Sequence, residues 1–247
     1  MAFAHDSIKP FEQRGSKKEQ VSEMFDEIAP KYDFMNRFLS AGTDKGWRKK
    51  AIKRFLSDRP QHLLDVATGT GDMALLAAGI LHPARITGID LSEKMLEVGR
   101  KKIAAQASGT GIELLKMDAE TINFGNSTFD GVMVAFGVRN FENLEKGLSE
   151  IYRVLKPGAQ LIVLEFSKPA IPGIKNLYNL YMGVIAPTLA GWFKQNKKAY
   201  QYLNNSSKAF PERKAFEEIL KKTGYTATSW KPLSLGICCI YSGRKAV

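Results

Sequence analysis

Asp65-Val66-Ala67-Thr68-Gly69-Thr70-Gly71-Asp72 is the stretch that decides the fold. A short apolar run, residues 62–67, leads into it, and residues 73–81 follow with helical composition. Strand, glycine turn and helix therefore succeed one another without a gap. Gly69 and Gly71 lack a Cβ, so the backbone can turn tightly there and a ligand can come close. Ala74 stands where a nucleotide-binding fingerprint carries its third small residue. Asp90 ends a second strand-like run, 85–90, about 20 residues further on, the distance at which such folds place a ribose-binding carboxylate.

Outward from this turn the alternation continues. Ser92 can cap the next helix through its hydroxyl, and Met95, Gly99 and Ile103 recur at helical spacing. Residues 112–117 and 129–136 read as the third and fourth strands. Leu144, Leu148, Ile151 and Leu155 form the stripe of a helix that packs on a sheet. Lys156-Pro157-Gly158 should stop that helix, and 161–166 should be the fifth strand. Alternation of this kind implies parallel strands with helices on both faces. Residues 211–223 read as a further helix. Residues 225–231 and 237–242 read as closing strands joined by a hairpin-sized connection, 232–236. The expectation is an α/β, Rossmann-like class I methyltransferase fold: a seven-stranded, mostly parallel sheet with a C-terminal antiparallel hairpin. We expect one domain. Residues 1–58 form a helical cap, 59–169 the cofactor-binding core, 170–208 a lid insertion, and 209–247 the closing helix and strands.

NAD, FAD and S-adenosylmethionine all use such a turn with an acidic residue after the second strand. Two features favour the methyl donor. Asp65 lies near the end of the first strand, where a dinucleotide's pyrophosphate would be repelled by a carboxylate. S-adenosylmethionine carries a sulfonium and an ammonium, so acidic residues suit it. Asp118-Ala119 follows the third strand, and an acidic side chain there can accept from an adenine amino group. Asp65 also admits a bland reading, as a buried, hydrogen-bonded turn former.

The 247 residues allow one large domain, and 44% hydrophobic with 25% charged residues is ordinary for a globular chain. A net charge of +11 is not ordinary, and it suits an anionic partner such as nucleic acid, a membrane surface or a phosphorylated substrate, or else simply a solubilising surface. The two cysteines, Cys238 and Cys239, are adjacent. Neighbours on a strand point to opposite faces, so no disulfide is expected between them, which suits a reducing cytoplasm. The polar N-terminal stretch lacks a secretion signal's apolar run. Residues 176–193 hold no charge over 18 positions, but Asn176, Asn179, Gly183, Pro187 and Gly191 make them a poor membrane span. His5, His62 and His82 show no metal-ligand spacing, so no metal is expected.

Further motifs carry a resemblance. Tyr32-Asp33-Phe34-Met35-Asn36-Arg37-Phe38-Leu39-Ser40-Ala41-Gly42 with Trp47, then Phe136-Gly137-Val138-Arg139-Asn140, then Arg153-Val154-Leu155-Lys156-Pro157-Gly158 running on to Leu164-Glu165-Phe166-Ser167-Lys168-Pro169, closely resemble the signatures of the menaquinone/ubiquinone biosynthesis C-methyltransferase family. The Lys-Pro-Gly turn is common among methyltransferases. The first two stretches are far more specific. The resemblance covers most of the chain and implies that Thr70, Asp90, Asp118 and Ala119 contact S-adenosylmethionine, in a site that also takes in Asp65, Gly69, Gly71, Leu91 and Met95. Some relatives carry a serine where this chain has Ala135, so contact there must come through backbone or packing. Thr68 stands where relatives can carry glycine, which narrows the approach of a ligand.

The resemblance implies methylation at a ring carbon of a polyprenylated quinol, demethylmenaquinol or a ubiquinone precursor. The residues do not separate the two rings, and we lean to demethylmenaquinol. A quinone is a poor carbon nucleophile. A hydroquinone losing a phenolic proton is a good one, so a positioned base or polarised water is needed. Arg139 and Asn140 follow the fourth strand at the sheet's carboxyl edge, where open α/β sheets bind ligands. Arg139 can stabilise a developing phenolate, or it can be an ion-paired structural residue. Asn140 can orient water or substrate. Asp33 and Tyr32 join the catalytic candidates if the N-terminal segment folds over the site.

Leu177, Tyr178, Leu180, Tyr181, Met182, Ile185, Leu189, Trp192 and Phe193 suit either a lid over a prenyl tail or an extra core helix pair. Lys194, Lys197 and Lys198 flank them. Lys45, Arg48, Lys49, Lys50, Lys53 and Arg54 alternate with Trp47, Ala51 and Phe55 as a basic amphipathic helix suited to an anionic membrane. The expected location is cytoplasmic, peripheral on the inner face of the cytoplasmic membrane. The stretch 176–193 sets its aromatics among uncharged residues, which favours lipid over nucleic acid. Rival readings are an O- or N-methyltransferase acting on a small metabolite, and a non-catalytic binding module.

Overall fold

The first five strands of the central sheet run parallel and end in loops on the same edge, and that edge carries the site. The computed structural model describes residues 3–11, 15–40, 42–106, 111–169, 173 and 197–247. Strands β1 (His62–Val66), β2 (Arg85–Asp90), β3 (Ile112–Lys116), β4 (Phe129–Ala135), β5 (Leu155–Phe166), β6 (Thr226–Leu233) and β7 (Cys238–Arg244) form one sheet in the order β3-β2-β1-β4-β5-β7-β6. The first five pair in parallel. β7 is antiparallel to both β5 and β6. This is the expected class I methyltransferase sheet.

Alternation along each strand divides the core. Leu63 faces the layer of α3 (Thr43–Ile52) and α4 (Asp72–Leu81), while Leu64 and Val66 face that of α6 (Leu144–Val154) and α8 (Lys214–Thr223). The period of two puts successive side chains on opposite faces. It also separates the cysteines: Cys239 packs with Tyr241 on the α6 side, Cys238 on the α3 side, and both are free and buried. In α6, Leu144, Leu148 and Ile151 are fully buried, and each such side chain contributes about 1.5–3 kcal/mol.

Caps explain where the helices begin. Ser16 and Glu19 form a reciprocal capping box at the start of α1 (Lys17–Ile28). The Ser92 hydroxyl accepts from the Met95 N–H at the start of α5 (Glu93–Ala104), as its sequence suggests. Asn143 caps α6 in the same way. In α5, Gly99 sits against the turn after β1: a Cβ there would lie 3.1 Å from the Thr70 carbonyl carbon. The glycine in the Met95–Gly99–Ile103 stripe thus marks close packing. Three helices, α1, α2 (Tyr32–Leu39) and α3, precede the sheet in the chain.

Three boundaries differ from expectation. Lys156-Pro157-Gly158 lies inside β5, not between helix and strand. Leu155 already pairs with Phe129, the register shifts, and pairing resumes at Gln160 opposite Gly131. The tripeptide is a bulge, with Gly158 at φ +75° and its N–H bonded to the Lys245 carbonyl. β6 runs on through Pro232, which an edge strand tolerates, leaving only residues 234–237 as the connection. The helix expected from 211 starts at Lys214. The stretch 176–193, expected as lid or core, and Lys194 lie outside the described residues. Among the described residues no helix is long and apolar enough to cross a membrane.

Candidate active site

The turn after β1 spends its own amides. The Thr68 N–H bonds the Ile89 carbonyl, and the Gly71 N–H bonds the Thr68 carbonyl. The Gly69 N–H bonds Asp90 Oδ2 at 2.8 Å. A dinucleotide's pyrophosphate would need such amides free. Here the turn instead holds a carboxylate, and Asp90 Oδ1 accepts from the Ser92 N–H. Burial pushes the Asp90 carboxyl up, against the backbone hydrogen bonds that favour its charged form.

Beside Asp90 opens a cleft. Gly69, Asp90, Leu91, Met95, Asp118, Ala119, Ala135, Tyr32 and Asn140 all line it. Nine of the fourteen residues picked from sequence therefore meet at one place. Asp118 stands at the β3 end, with Oδ1 accepting from the Glu120 N–H and Oδ2 paired to Lys18 at 3.0 Å. Between the carboxylates the walls are apolar: Ile89, Met117, Phe136 and Phe141. Four acidic residues around the slot, Asp90, Asp118, Glu120 and Glu142, with the glycine amides already used, fit a cationic adenosyl ligand better than a pyrophosphate.

The other five lie outside this lining. Asp65 is fully buried beneath the turn, accepting from the Thr68 hydroxyl at 2.6 Å. Burial raises its pKa to about 7, against the Thr68 hydrogen bond and the Arg48 charge. Thr70 and Asp33 join a charged knot beside the cleft lining. The Thr70 hydroxyl donates to Asp33 Oδ1 at 2.5 Å, and Lys102 Nζ reaches Asp33 at 2.7 Å and also pairs with Asp72. Gly71 begins α4 at φ +77° and packs on Ile103 and Leu114.

Arg139 sits in the 3-10 turn Val138–Asn140 and is 3% exposed. Its Nη1 donates to Glu165 Oε1 at 2.6 Å and to the Phe136 carbonyl at 2.8 Å, and its guanidinium lies over the Phe166 ring. Burial raises the Glu165 carboxyl, while Arg139 opposes the rise. The geometry is that of a buried ion pair behind the cleft wall. Tyr32 is held edge-on by Phe25, and burial raises its hydroxyl, so at neutral pH it is a hydrogen-bond donor.

Sequence reasoning missed one whole wall. Lys18, Val21, Ser22 and Phe25 of α1 face the cleft, together with Glu120 and Glu142. The helix is fixed by Ser22, whose hydroxyl donates to the Leu91 carbonyl, and by Asp26, which accepts from the Ser92 hydroxyl and the Lys94 N–H. Lys17 is fully buried, and its ammonium donates to the carbonyls of His5, Arg139 and Phe141. Burial lowers its pKa to about 8. The capping box and the apolar residues 21, 25 and 28 mark a helix in the sequence. Nothing local says where it docks.

The model of the ubiE/COQ5 methyltransferase family matches residues 13–245. A demethylmenaquinone methyltransferase of Bacteroides fragilis is 41% identical, over 99% of this chain and 100% of the relative. A ubiquinone/menaquinone biosynthesis C-methyltransferase UbiE of Geotalea daltonii is 42% identical, over 93% of this chain and 97% of the relative. The fold is similar to that of a SAM-dependent methyltransferase from Thermotoga maritima, with TM-score 0.64 and 18% identity over 91% of this chain and 99% of that one. The chain belongs to the ubiE/COQ5 methyltransferase family and is an S-adenosylmethionine-dependent methyltransferase.

Proposed function

We propose that this enzyme methylates a ring carbon of a polyprenylated quinol, with demethylmenaquinol as substrate and menaquinol as product. The observation that carries the reading is near-full-length similarity to a relative named demethylmenaquinone methyltransferase. The cleft supports it. Gly69, Asp90, Leu91, Met95, Asp118, Ala119 and Ala135 hold the methyl donor, while Asp65, Thr70 and Gly71 shape the turn beneath it. Bound S-adenosylmethionine supplies an electrophilic methyl group. The whole chain, cap, core and closing strands, works as one domain.

The protein's own task is to favour the quinolate and exclude water. Asn140 lines the cleft and can donate from its amide to a developing phenolate. Tyr32, kept protonated by burial, can donate a second hydrogen bond. Arg139 acts through its field, because Glu165 and the Phe136 carbonyl already hold its Nη1. Asp33, tied to Lys102 and Thr70, braces α2 and does not serve as a base.

The substrate is a lipid, so access is at a membrane. In α3, Trp47, Ala51 and Ile52, with Phe55 just beyond, are buried against the sheet. The apolar face that the sequence offers to lipid is therefore taken up by the core. Lys45, Lys49, Lys50 and Lys53 stay exposed, so docking on anionic lipid is electrostatic, at about 1 kcal/mol per basic residue near the surface. Co-sedimentation with anionic vesicles should fall between low and high salt, and unchanged sedimentation contradicts the docking. Methyl transfer from labelled S-adenosylmethionine to demethylmenaquinol tests the reaction itself. Faster transfer to the ubiquinone precursor would reassign the ring.

A further inference from the structure

Asn140 is the one polar side chain of the Arg139-Asn140 pair that reaches the cleft, and its amide has two orientations. The structure fixes one. Its Nδ2 lies 3.4 Å from the Phe136 carbonyl, which can only accept. Its Oδ1 therefore points the other way, to the Tyr202 hydroxyl at 3.2 Å, which must be the donor. Tyr202 belongs to α7 (Lys197–Ala209) and is 2% exposed. It packs with Met24, Phe25 and Ile28 of α1, the helix that walls the cleft. Burial holds its phenol well above the ordinary tyrosine pKa, so it keeps its proton and remains a donor. The second hydrogen of Nδ2 is then free of the Phe136 carbonyl and available on the cleft side.

We infer that Tyr202 is a positioning residue for methyl transfer: its hydroxyl locks the Asn140 amide so that an N–H donor, not a carbonyl oxygen, faces the substrate oxygen. A flipped amide would turn a lone pair toward a developing phenolate and oppose its formation. This rests on the proposed reaction, because only a substrate that gains negative charge on oxygen rewards an N–H there. Tyr202 lies 62 residues beyond Asn140 in the chain. No local motif connects them.

The test is Tyr202→Phe, which keeps the ring and its packing and removes the hydroxyl. Wild type, Tyr202→Phe, Asn140→Ala and the double variant are compared for methyl transfer to demethylmenaquinol, for donor binding by calorimetry and for thermal midpoint. Tyr202→Phe should lower kcat about tenfold, the size of one lost hydrogen bond in the transition state. KM for the methyl donor and the midpoint should hold. The double variant should be no slower than Asn140→Ala, because the hydroxyl acts only through the amide. In nitrogen-15 spectra the Asn140 side-chain amide signal, assigned by its loss in Asn140→Ala, should shift in Tyr202→Phe. Wild-type kcat in Tyr202→Phe, an unmoved amide signal, or losses that multiply in the double variant overturn the positioning role. A wild-type enzyme that binds donor yet labels no quinol overturns the proposed reaction, and this inference with it.

Discussion

The floor and the wall of the cleft are built by opposite means. The floor is local: Asp65 to Asp72 turn at the end of β1, and Asp90 ends the neighbouring strand and takes the Gly69 amide. The wall is remote. α1 is held by Lys17, whose ammonium donates to carbonyls 122 and 124 residues away in sequence, and by Asp26 at the start of α5. The floor would bind badly without its side chains. The wall would not be there without its anchor. Specific chemistry thus sits on the sheet edge, and closure comes from a separately anchored helix.

That comparison can be broken at either side. The largest effect is expected at the floor. Asp90→Ala takes the acceptor from the Gly69 and Ser92 N–H groups and removes the carboxylate proposed for the ribose hydroxyls, and calorimetry should show donor affinity down about a hundredfold, at about 1.4 kcal/mol per tenfold. The thermal midpoint should fall as well, because the buried Gly69 and Ser92 amides lose their acceptor. An affinity within threefold of wild type would mean the floor does not bind the donor.

At the wall the order reverses. Lys17→Met leaves three carbonyls without their donor and should cost about 3 kcal/mol of stability in urea unfolding, while donor affinity falls less than tenfold. An unchanged urea midpoint would mean that Lys17 does not anchor α1.

The same division explains what was legible in the sequence. The turn, the Ser92 cap, Asp90, Asp118 and the five parallel strands could be read because each depends on neighbours within a few residues or on a period of two. Lys156-Pro157-Gly158 was misread because its residues also suit a helix stop. Only pairing with β4 shows it to be a bulge. Thr70 and Asp33 both bind Lys102, a partner on α5 that spacing cannot reveal. Trp47 of the first signature stretch is a core residue, its indole N–H bonded to Ser234. Lys18, Ser22 and Phe25 went unseen because docking of one helix on another is a tertiary fact.

The most direct measurement is transfer of label from S-adenosylmethionine to demethylmenaquinol, run with and without a reductant. Label should enter the quinone pool only when the ring is kept reduced, because only the quinol offers a nucleophilic carbon. Donor binding without label in demethylmenaquinol or in the ubiquinone precursor, under reducing conditions, would contradict the proposed reaction.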